Sequence, residues 1–281
     1  MKRRWIRDAI YGYQDPNSRR WAFWREKLVT PDGRKTFRTL VPAVPYSGLY
    51  RRSTVADPPP VAPQCLYRLT PLRAALSPRS GGGDVLVAEG EKDANAGARL
   101  PGVAAATSHW GGAAVGMTPE QAQHLAPLAT AASRRSGRRV VIVVDRDDPG
   151  YANGLHTWEL LRVVGFRRSQ LAVVRPADGV ISGGAVCTGV CDCEPVCPPP
   201  GRGWEKADLT DHVRAGYGLR DLVPVSEADL RVAADRWAQE RAAGAEYGAP
   251  VPSEFTPEFE AELRALAAEW PGWPARRKKA A

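Results

Sequence analysis

The N-terminal part of the chain has the pattern of a small β-sheet. Three segments rich in aromatic and β-branched residues, at 5–15, 21–28 and 35–41, are separated by turn sequences that contain proline with asparagine or glycine. Residues of these types favour tight turns between strands. The pattern therefore predicts a β-meander, followed by a proline-rich spacer at 57–63 and a short helix at 66–76.

From residue 84 onward, short apolar runs alternate with longer segments that have helical periodicity. The apolar runs predict four strands, at 84–88, 103–107, 139–144 and 171–174. The segments between them predict three helices, at 92–100, 119–133 and 151–164. Thr118, Pro119 and Gln121 have the spacing of a capped helix start. Because strands separated by helices are joined by right-handed crossovers, we expect a mainly parallel four-stranded sheet.

These patterns divide the chain into three parts. Residues 1–65 form a small basic β-rich subdomain with its linker, and residues 66–218 form an α/β domain that contains a cysteine-rich insert at 179–203. Residues 219–281 form a C-terminal extension, with amphipathic helices predicted at 226–243 and 257–270 and a basic tail. The expected fold class is α/β, with a Rossmann-like sheet at its centre.

Positive charge is concentrated at the N-terminal end. The net charge is +8, and the first 80 residues hold 16 basic and 5 acidic side chains, whereas the rest hold 23 and 26. Cations interleaved with aromatic rings suit a single-stranded nucleic acid, because cations follow the phosphates and rings stack on bases. The candidate nucleic-acid-binding residues are Arg19, Arg20, Arg25, Lys35, Arg38, Trp21 and Trp24. The alternative is a β-subdomain whose aromatic residues form its core and whose arginines keep it soluble.

No run of apolar residues is long enough to cross a membrane. The basic start of the chain is followed by Trp5, Arg7 and Asp8 rather than by an apolar stretch, which excludes a secretory signal. We therefore expect a cytoplasmic protein that has no membrane partner.

Acidic residues follow two of the predicted strands directly. The first strand leads into Glu89-Gly90-Glu91-Lys92-Asp93, and the third leads into Asp145-Arg146-Asp147-Asp148-Pro149-Gly150. Parallel strands end at the same edge of a sheet, so these carboxylates are expected to converge there. Hard oxygen ligands favour Mg²⁺ or Mn²⁺, the cations used in phosphoryl transfer. The alternative is that these residues cap the helices that follow, with Asp148 before Pro149 as such a cap.

Together with a third segment, Lys206-Ala207-Asp208-Leu209-Thr210-Asp211-His212, the two acidic segments resemble the signatures of the Toprim domain. The order and context of the motifs are similar to those of bacterial-type (DnaG-like) DNA primases of phages and plasmids, and the resemblance covers residues 66–218. It implies that Glu89 acts as acid or base toward the primer 3′-hydroxyl. It also implies metal ligation by Asp145 and Asp147, with Glu89, Asp93 and Asp208 completing the cluster, and Asp211 is the alternative to Asp208 for the last position.

The resemblance implies a primase-like nucleotidyltransferase that makes short RNA primers on single-stranded DNA. Its partners would be the template, ribonucleoside triphosphates and Mg²⁺ or Mn²⁺, in the cytoplasm of a bacterium or of a phage-infected host cell. Because the sequence contains no P-loop motif, a replicative helicase would be a separate protein. Two alternatives stay open: a Toprim metal-dependent nuclease and a non-catalytic DNA-binding adaptor of the replisome.

A glycine pair follows the second strand of the α/β domain, in the segment Ser108-His109-Trp110-Gly111-Gly112. Backbone N–H groups of Gly111 and Gly112, together with Lys92, are expected to contact nucleotide phosphates. Trp110 would then stack on a base, and the alternative is a Trp that packs in an ordinary loop.

Four cysteines, Cys187, Cys191, Cys193 and Cys197, lie within eleven residues. Thiolates this close together are typical of a tetrahedral Zn²⁺ site in a reduced compartment. Their C-x₃-C-x-C-x₃-C spacing differs from that of the usual zinc ribbons, so a thiol-rich loop without metal is the open alternative. Cys65 is expected to be an isolated thiol.

Overall fold

Two β-sheets of different types form the fold. The structure is a computed structural model that describes residues 6–31, 35–42, 50–53, 59–77, 82–110, 112, 116–130, 137–181 and 207–242. The N-terminal sheet is antiparallel throughout, in chain order. Its strands are β1 (Ile6–Gln14), β2 (Trp21–Val29), β3 (Lys35–Pro42) and β4 (Tyr50–Ser53). The predicted meander is thus present, and β4 extends it by one strand.

Strand pairing gives this N-terminal sheet two chemically different faces. Tyr11 lies opposite Arg25, and Tyr13 lies opposite Phe23. These residues define what we call the inner face, on which Tyr13 and Phe23 are fully buried. The alternate positions define the outer face, which faces away from the second sheet. Its members include Ile10, Trp24, Glu26 and Leu40, and Trp21 joins them because the register shifts between Tyr13 and Gln14.

The second sheet is mixed and mainly parallel, as the alternating pattern predicts. Its strands are β5 (Asp84–Ala88), β6 (Val103–Ser108), β7 (Val140–Val143), β8 (Leu171–Arg175) and β9 (Val223–Pro224). The strand order is β6-β5-β7-β8-β9, and only β9 is antiparallel to its neighbour. The prediction of four strands was wrong by one, because a strand of two residues leaves no periodic signal. Val223 and Pro224, which follow the predicted domain boundary at 218, therefore belong to this sheet.

Six α-helices surround the described part of the second sheet. They are α1 (Leu69–Leu76), α2 (Glu91–Gly97), α3 (Pro119–Gln123), α4 (Asp148–Val164), α5 (Leu209–Arg214) and α6 (Glu227–Ala242). In the described part of the chain, no helix has both the length and the apolar character needed to cross a membrane.

The predicted helix at 119–133 was wrong in length. Its start is correct, because Thr118 and Gln121 form the expected capping box. The α-helix nevertheless ends at Gln123, and a 3₁₀ turn follows at Ala126–Ala129. Pro127 has no N–H to donate and its ring would clash with the preceding turn, so the α-helix does not continue through it.

Both faces of the second sheet are buried. Val85, Val87 and Ile142 pack into one cluster, and Leu86 and Val141 pack into another on the opposite side. Parallel strands covered by helices on both faces are uniformly apolar for this reason.

The inner face of the N-terminal sheet packs directly on the second unit. Tyr13 stacks on Phe23 with ring centroids 4.5 Å apart, in a cluster that includes Ala62, Cys65 and Trp110. Ala62 and Cys65 are fully buried, so part of the predicted spacer is core. Cys65 is a free thiol, as expected.

Helix α6 covers α4. Leu230 and Ala233 are buried, and ion pairs join Arg231 to Glu159 and Arg236 to Asp148. The first predicted C-terminal helix therefore packs on its own domain. The second, at 257–270, lies outside the described residues.

Candidate active site

Two carboxylates leave the second sheet side by side. Ala88 at the end of β5 is in register with Val143 at the end of β7. Glu89 follows Ala88 directly, and Asp145 lies two residues after Val143. Because the two strands are parallel neighbours, both carboxylates emerge at the same edge, as the sequence predicts.

Asp145 lies at the centre of the acidic residues. Its pKa is raised well above its ordinary value, first by burial and then by the negative charges of neighbouring carboxylates. These neighbours are Glu89, Asp93, Asp208 and Asp147, in decreasing order of effect. The other four acidic residues that the sequence analysis selected are thus all close enough to Asp145 to affect its pKa.

Asp93 joins two elements around this cluster. Its Oδ1 accepts hydrogen bonds from the backbone N–H of Thr210 at 2.9 Å and from the Thr210 hydroxyl at 2.7 Å. Burial, with the charge of Asp208, raises the pKa of Asp93 to about 7. Lys92 and the two hydrogen bonds oppose this shift. Asp93 thus connects α2 to the start of α5.

Asp208 is the N-cap of α5 and is paired with Lys92. Its Oδ1 accepts from the N–H of Asp211 at 2.9 Å, and its Oδ2 forms an ion pair with the Lys92 ammonium group. Burial lowers the pKa of Lys92, but Asp93 and Asp208 outweigh it, so the net shift is upward. Lys92 is therefore at the cluster and positively charged.

Asp147 caps α4. Its Oδ1 accepts from the N–H of Gly150 at 2.8 Å. The capping alternative was therefore correct for this helix but named the wrong residue, since Asp148 is the first helical residue. A Cβ atom on Gly150 would lie 2.7 Å from the carbonyl oxygen of Asp145. Only glycine permits this close approach of helix and strand end.

The donor chemistry of the cluster fits Mg²⁺ or Mn²⁺, which prefer carboxylate oxygens. In the described residues, however, no three or more histidine, cysteine, aspartate or glutamate side chains form a ready metal-binding group. Asp93, Asp147 and Asp208 each accept hydrogen bonds from neighbouring backbone. Glu89 and Asp145, which leave neighbouring strands at one edge, are the leading candidate ligands, and Asp93, Asp147 and Asp208 also connect or cap helices.

The loop after β6 brings a glycine to Glu89. Gly112 has a φ of +56°, and a Cβ atom there would lie 3.8 Å from Oε1 of Glu89. Gly111 lies outside the described residues. Trp110 is only 4% exposed within the core between the two units, so the packing alternative is correct and base stacking by Trp110 was wrong. His109 is buried, and its Nε2 lies 3.3 Å from Nδ2 of Asn153.

A cleft with a volume of about 340 Å³ separates the acidic cluster from the N-terminal sheet. Glu89, Asp93, Asp145 and Asp208 line one side together with Lys92 and Gly112. Inner-face residues line the other side: Tyr11, Arg25, Lys27, Lys35 and Phe37. The guanidinium of Arg25 lies 4.2 Å above the Phe37 ring. The cleft therefore has an acidic wall and a basic, aromatic wall.

Glu91 connects the two walls, and sequence reasoning gave it no role. It is 3% exposed and accepts from the Tyr13 hydroxyl at 2.7 Å and from Nη1 of Arg25 at 3.1 Å. Its partners are in β1 and β2, far away in sequence, so no local signal identified it.

The predicted nucleic-acid-binding residues separate onto different surfaces. Arg25 and Lys35 line the cleft on the inner face. Trp24 and Arg38 are on the outer face, and Arg19 and Arg20 precede Trp21 in the turn between β1 and β2. The predicted zinc ligands Cys187, Cys191, Cys193 and Cys197 lie outside the described residues, so the zinc prediction stays a prediction.

A scan against protein-family models and a search of curated proteins both find no match for this chain. Among solved structures, one described as the structure of the DnaG catalytic core aligns with a TM-score of 0.37 and 17% sequence identity. The alignment covers 88% of this chain and 62% of that one, so this chain spans less than two thirds of it. A similarity this low carries no argument about activity.

Proposed function

We propose that this protein is a metal-dependent nucleotidyltransferase of the primase kind, which makes short RNA primers on a single-stranded DNA template. One observation carries the proposal: Glu89 and Asp145 leave neighbouring parallel strands at one edge and line one cleft with Asp93 and Asp208. Like charges in a buried place are costly, and a divalent cation lowers this cost while the carboxylates stay ionised. The order of the three motifs adds support.

Each wall of the cleft has a part in the proposed reaction. Asp145 and Glu89 would hold Mg²⁺ or Mn²⁺, which supplies charge neutralisation at a reacting phosphate when bound. Glu89, at the cleft surface, would take the proton from the primer 3′-hydroxyl. Lys92 would neutralise phosphate charge from the acidic side.

The basic wall supports a polyanionic substrate. Lys27 and Lys35 line the cleft opposite the carboxylates, and Arg25 is held in place by Glu91 and by the Phe37 ring. Cations and an aromatic ring suit a nucleotide or a nucleic-acid strand, because they match its phosphates and its bases. Lys27 also pairs with Asp8 and Arg25 with Glu91, so a polyanion would be a further partner for these two cations.

The test is to incubate the whole protein with single-stranded DNA, labelled ribonucleotides and Mg²⁺. We expect new oligonucleotides from the wild type, none without metal and none from Glu89→Gln. Glu240→Gln, an exposed carboxylate on α6, is the matched control and should be fully active. Shortened DNA would instead identify a nuclease, and a folded wild-type protein that gives neither product would refute the proposal.

A further inference from the structure

Trp21 lies flat on the outer face of the N-terminal sheet. A Cβ atom on Gly12 would be 2.6 Å from Cζ3 of Trp21, so the indole rests directly on the glycine backbone. Trp21 is nevertheless 53% exposed. The six-membered ring therefore contacts the sheet while much of the side chain stays open to solvent. Because this contact already restricts the indole, a ligand that binds to it causes a smaller loss of side-chain conformational entropy.

A second indole lies beside the first. The ring of Trp24 is 6.1 Å from that of Trp21, with an angle of 37° between the planes. Leu40 pairs with Trp24 across the sheet, and Ile10 on the same face is 49% exposed. We call Ile10, Trp21, Trp24 and Leu40 the outer platform.

Exposed charge around the outer platform is mainly positive, and Asp15 in the turn before Trp21 is an acidic exception. Glu26 is fully buried between Arg7 and Arg38, which both form ion pairs with it. The side chain of Arg7 is 60% exposed, so solvent meets guanidinium groups and not the carboxylate. Arg19 and Arg20, both exposed, lie in the turn before Trp21.

We infer that the outer platform binds single-stranded nucleic acid by base stacking, as a second contact surface separate from the cleft. An exposed indole face stacks on a base, and the surrounding guanidinium groups match the phosphates on either side. A purely apolar protein partner would bury these cations at a cost, so the charge favours the nucleic acid. The inference rests on the proposed function in one respect: the expected ligand is the single-stranded DNA template.

Binding of a fluorescent oligothymidylate to the whole protein, measured by anisotropy without metal or nucleotide, tests this inference. Trp21→Ala should weaken binding about tenfold, the loss of one base stack. Gly12→Ala should weaken it as well, because its Cβ displaces the ring while all charges stay. Trp21→Phe should restore most of the affinity, and Val232→Ala, which changes an exposed apolar residue on α6, should have no effect.

Heparin, which has charge but no bases, separates stacking from charge. Trp21→Ala should bind heparin with the same affinity as the wild type does. If Trp21→Ala lost affinity for heparin and for oligothymidylate to the same extent, the inference would be overturned. Oligothymidylate binding that is unchanged in a folded Trp21→Ala variant would overturn it too. The inference would also be overturned if light scattering showed that Trp21→Ala acts only by abolishing self-association of the protein. The binding assay contains neither metal nor nucleotide, so a failure of the catalytic proposal, which is measured as primer synthesis, would be seen separately.

Discussion

The hydroxyl group of Tyr13 in β1 donates a hydrogen bond of 2.7 Å to Oε1 of Glu91, 78 residues further along the chain. Both side chains are buried, and Arg25 donates to the same oxygen. Glu91 is the first residue of α2 and lies two residues after Glu89. The contact therefore fixes the basic wall of the cleft relative to the proposed acid–base residue.

Removal of this hydroxyl should destabilise the protein. We expect Tyr13→Phe to lower the free energy of unfolding by about 1.5–3 kcal/mol, because a buried hydrogen bond to a charged group is lost. Urea unfolding measures this. Tyr11→Phe, in the same strand, should cost much less, because the Tyr11 hydroxyl has no hydrogen-bonding partner among the described residues. In a double-mutant cycle, Tyr13→Phe and Glu91→Gln should be coupled, and strictly additive effects would contradict a direct contact.

Asp93 should make stability depend on pH. Burial and Asp208 raise its pKa from 3.8 to about 7, so the folded state binds its proton more tightly than the unfolded state does. Its contribution to stability is therefore fully present below the unfolded pKa and is lost as pH rises toward 7. Asp93→Asn keeps an acceptor for Thr210 and has no charge. In EDTA, we expect the free energy of unfolding of Asp93→Asn, relative to that of the wild type, to rise by about 2 kcal/mol between about pH 5 and about pH 8.

This difference is measured by urea unfolding of both proteins across the same pH range. The comparison with wild type matters because His109 acts in the opposite sense. Burial lowers the pKa of His109 to about 4, so its contribution to stability is lost as pH falls below the ordinary histidine range. A constant difference between Asp93→Asn and wild type would show that Asp93 is ionised at low pH in the folded protein.

Gly150 should tolerate no side chain. A Cβ there would lie 2.7 Å from the carbonyl oxygen of Asp145 and 3.0 Å from Oδ1 of Asp147. We expect Gly150→Ala to cost about 1–3 kcal/mol in the free energy of unfolding, as overpacking does, and to reduce primer synthesis by displacing Asp145. Gly82→Ala is the control, since nothing lies within 4 Å of its Cβ position. Equal thermal stability of the two variants would contradict the tight packing at Gly150.

The edge of the second sheet was predictable because its signals are local. Apolar runs of four to five residues mark β5 and β7, and the acidic residues follow them directly. Parallel pairing then places Glu89 and Asp145 together without further information. The same applies to the start of α3, where Thr118 and Gln121 are three residues apart.

The other features of the fold and of the site depend on contacts between residues that are distant in the sequence. The role of Glu91 is set by Tyr13 and Arg25 in the other sheet, and β9 exists only because β8 offers it an edge. The separation of Trp24 from Arg25 follows from strand alternation, but which of them faces the cleft depends on how the two sheets pack. A count of charges along the N-terminal sequence does not distinguish residues on the inner face of the sheet from residues on the outer face.

The central claim is that the carboxylates around Asp145 form a divalent-cation site. Calorimetric titration of the metal-free protein with Mn²⁺, and then with Mg²⁺, tests it most directly. The account predicts saturable uptake by the wild type, strong weakening in Asp145→Asn and Glu89→Gln, and no change in the exposed-carboxylate control Glu240→Gln. A wild-type protein that takes up neither cation, or uptake that is unchanged in Asp145→Asn, would contradict it.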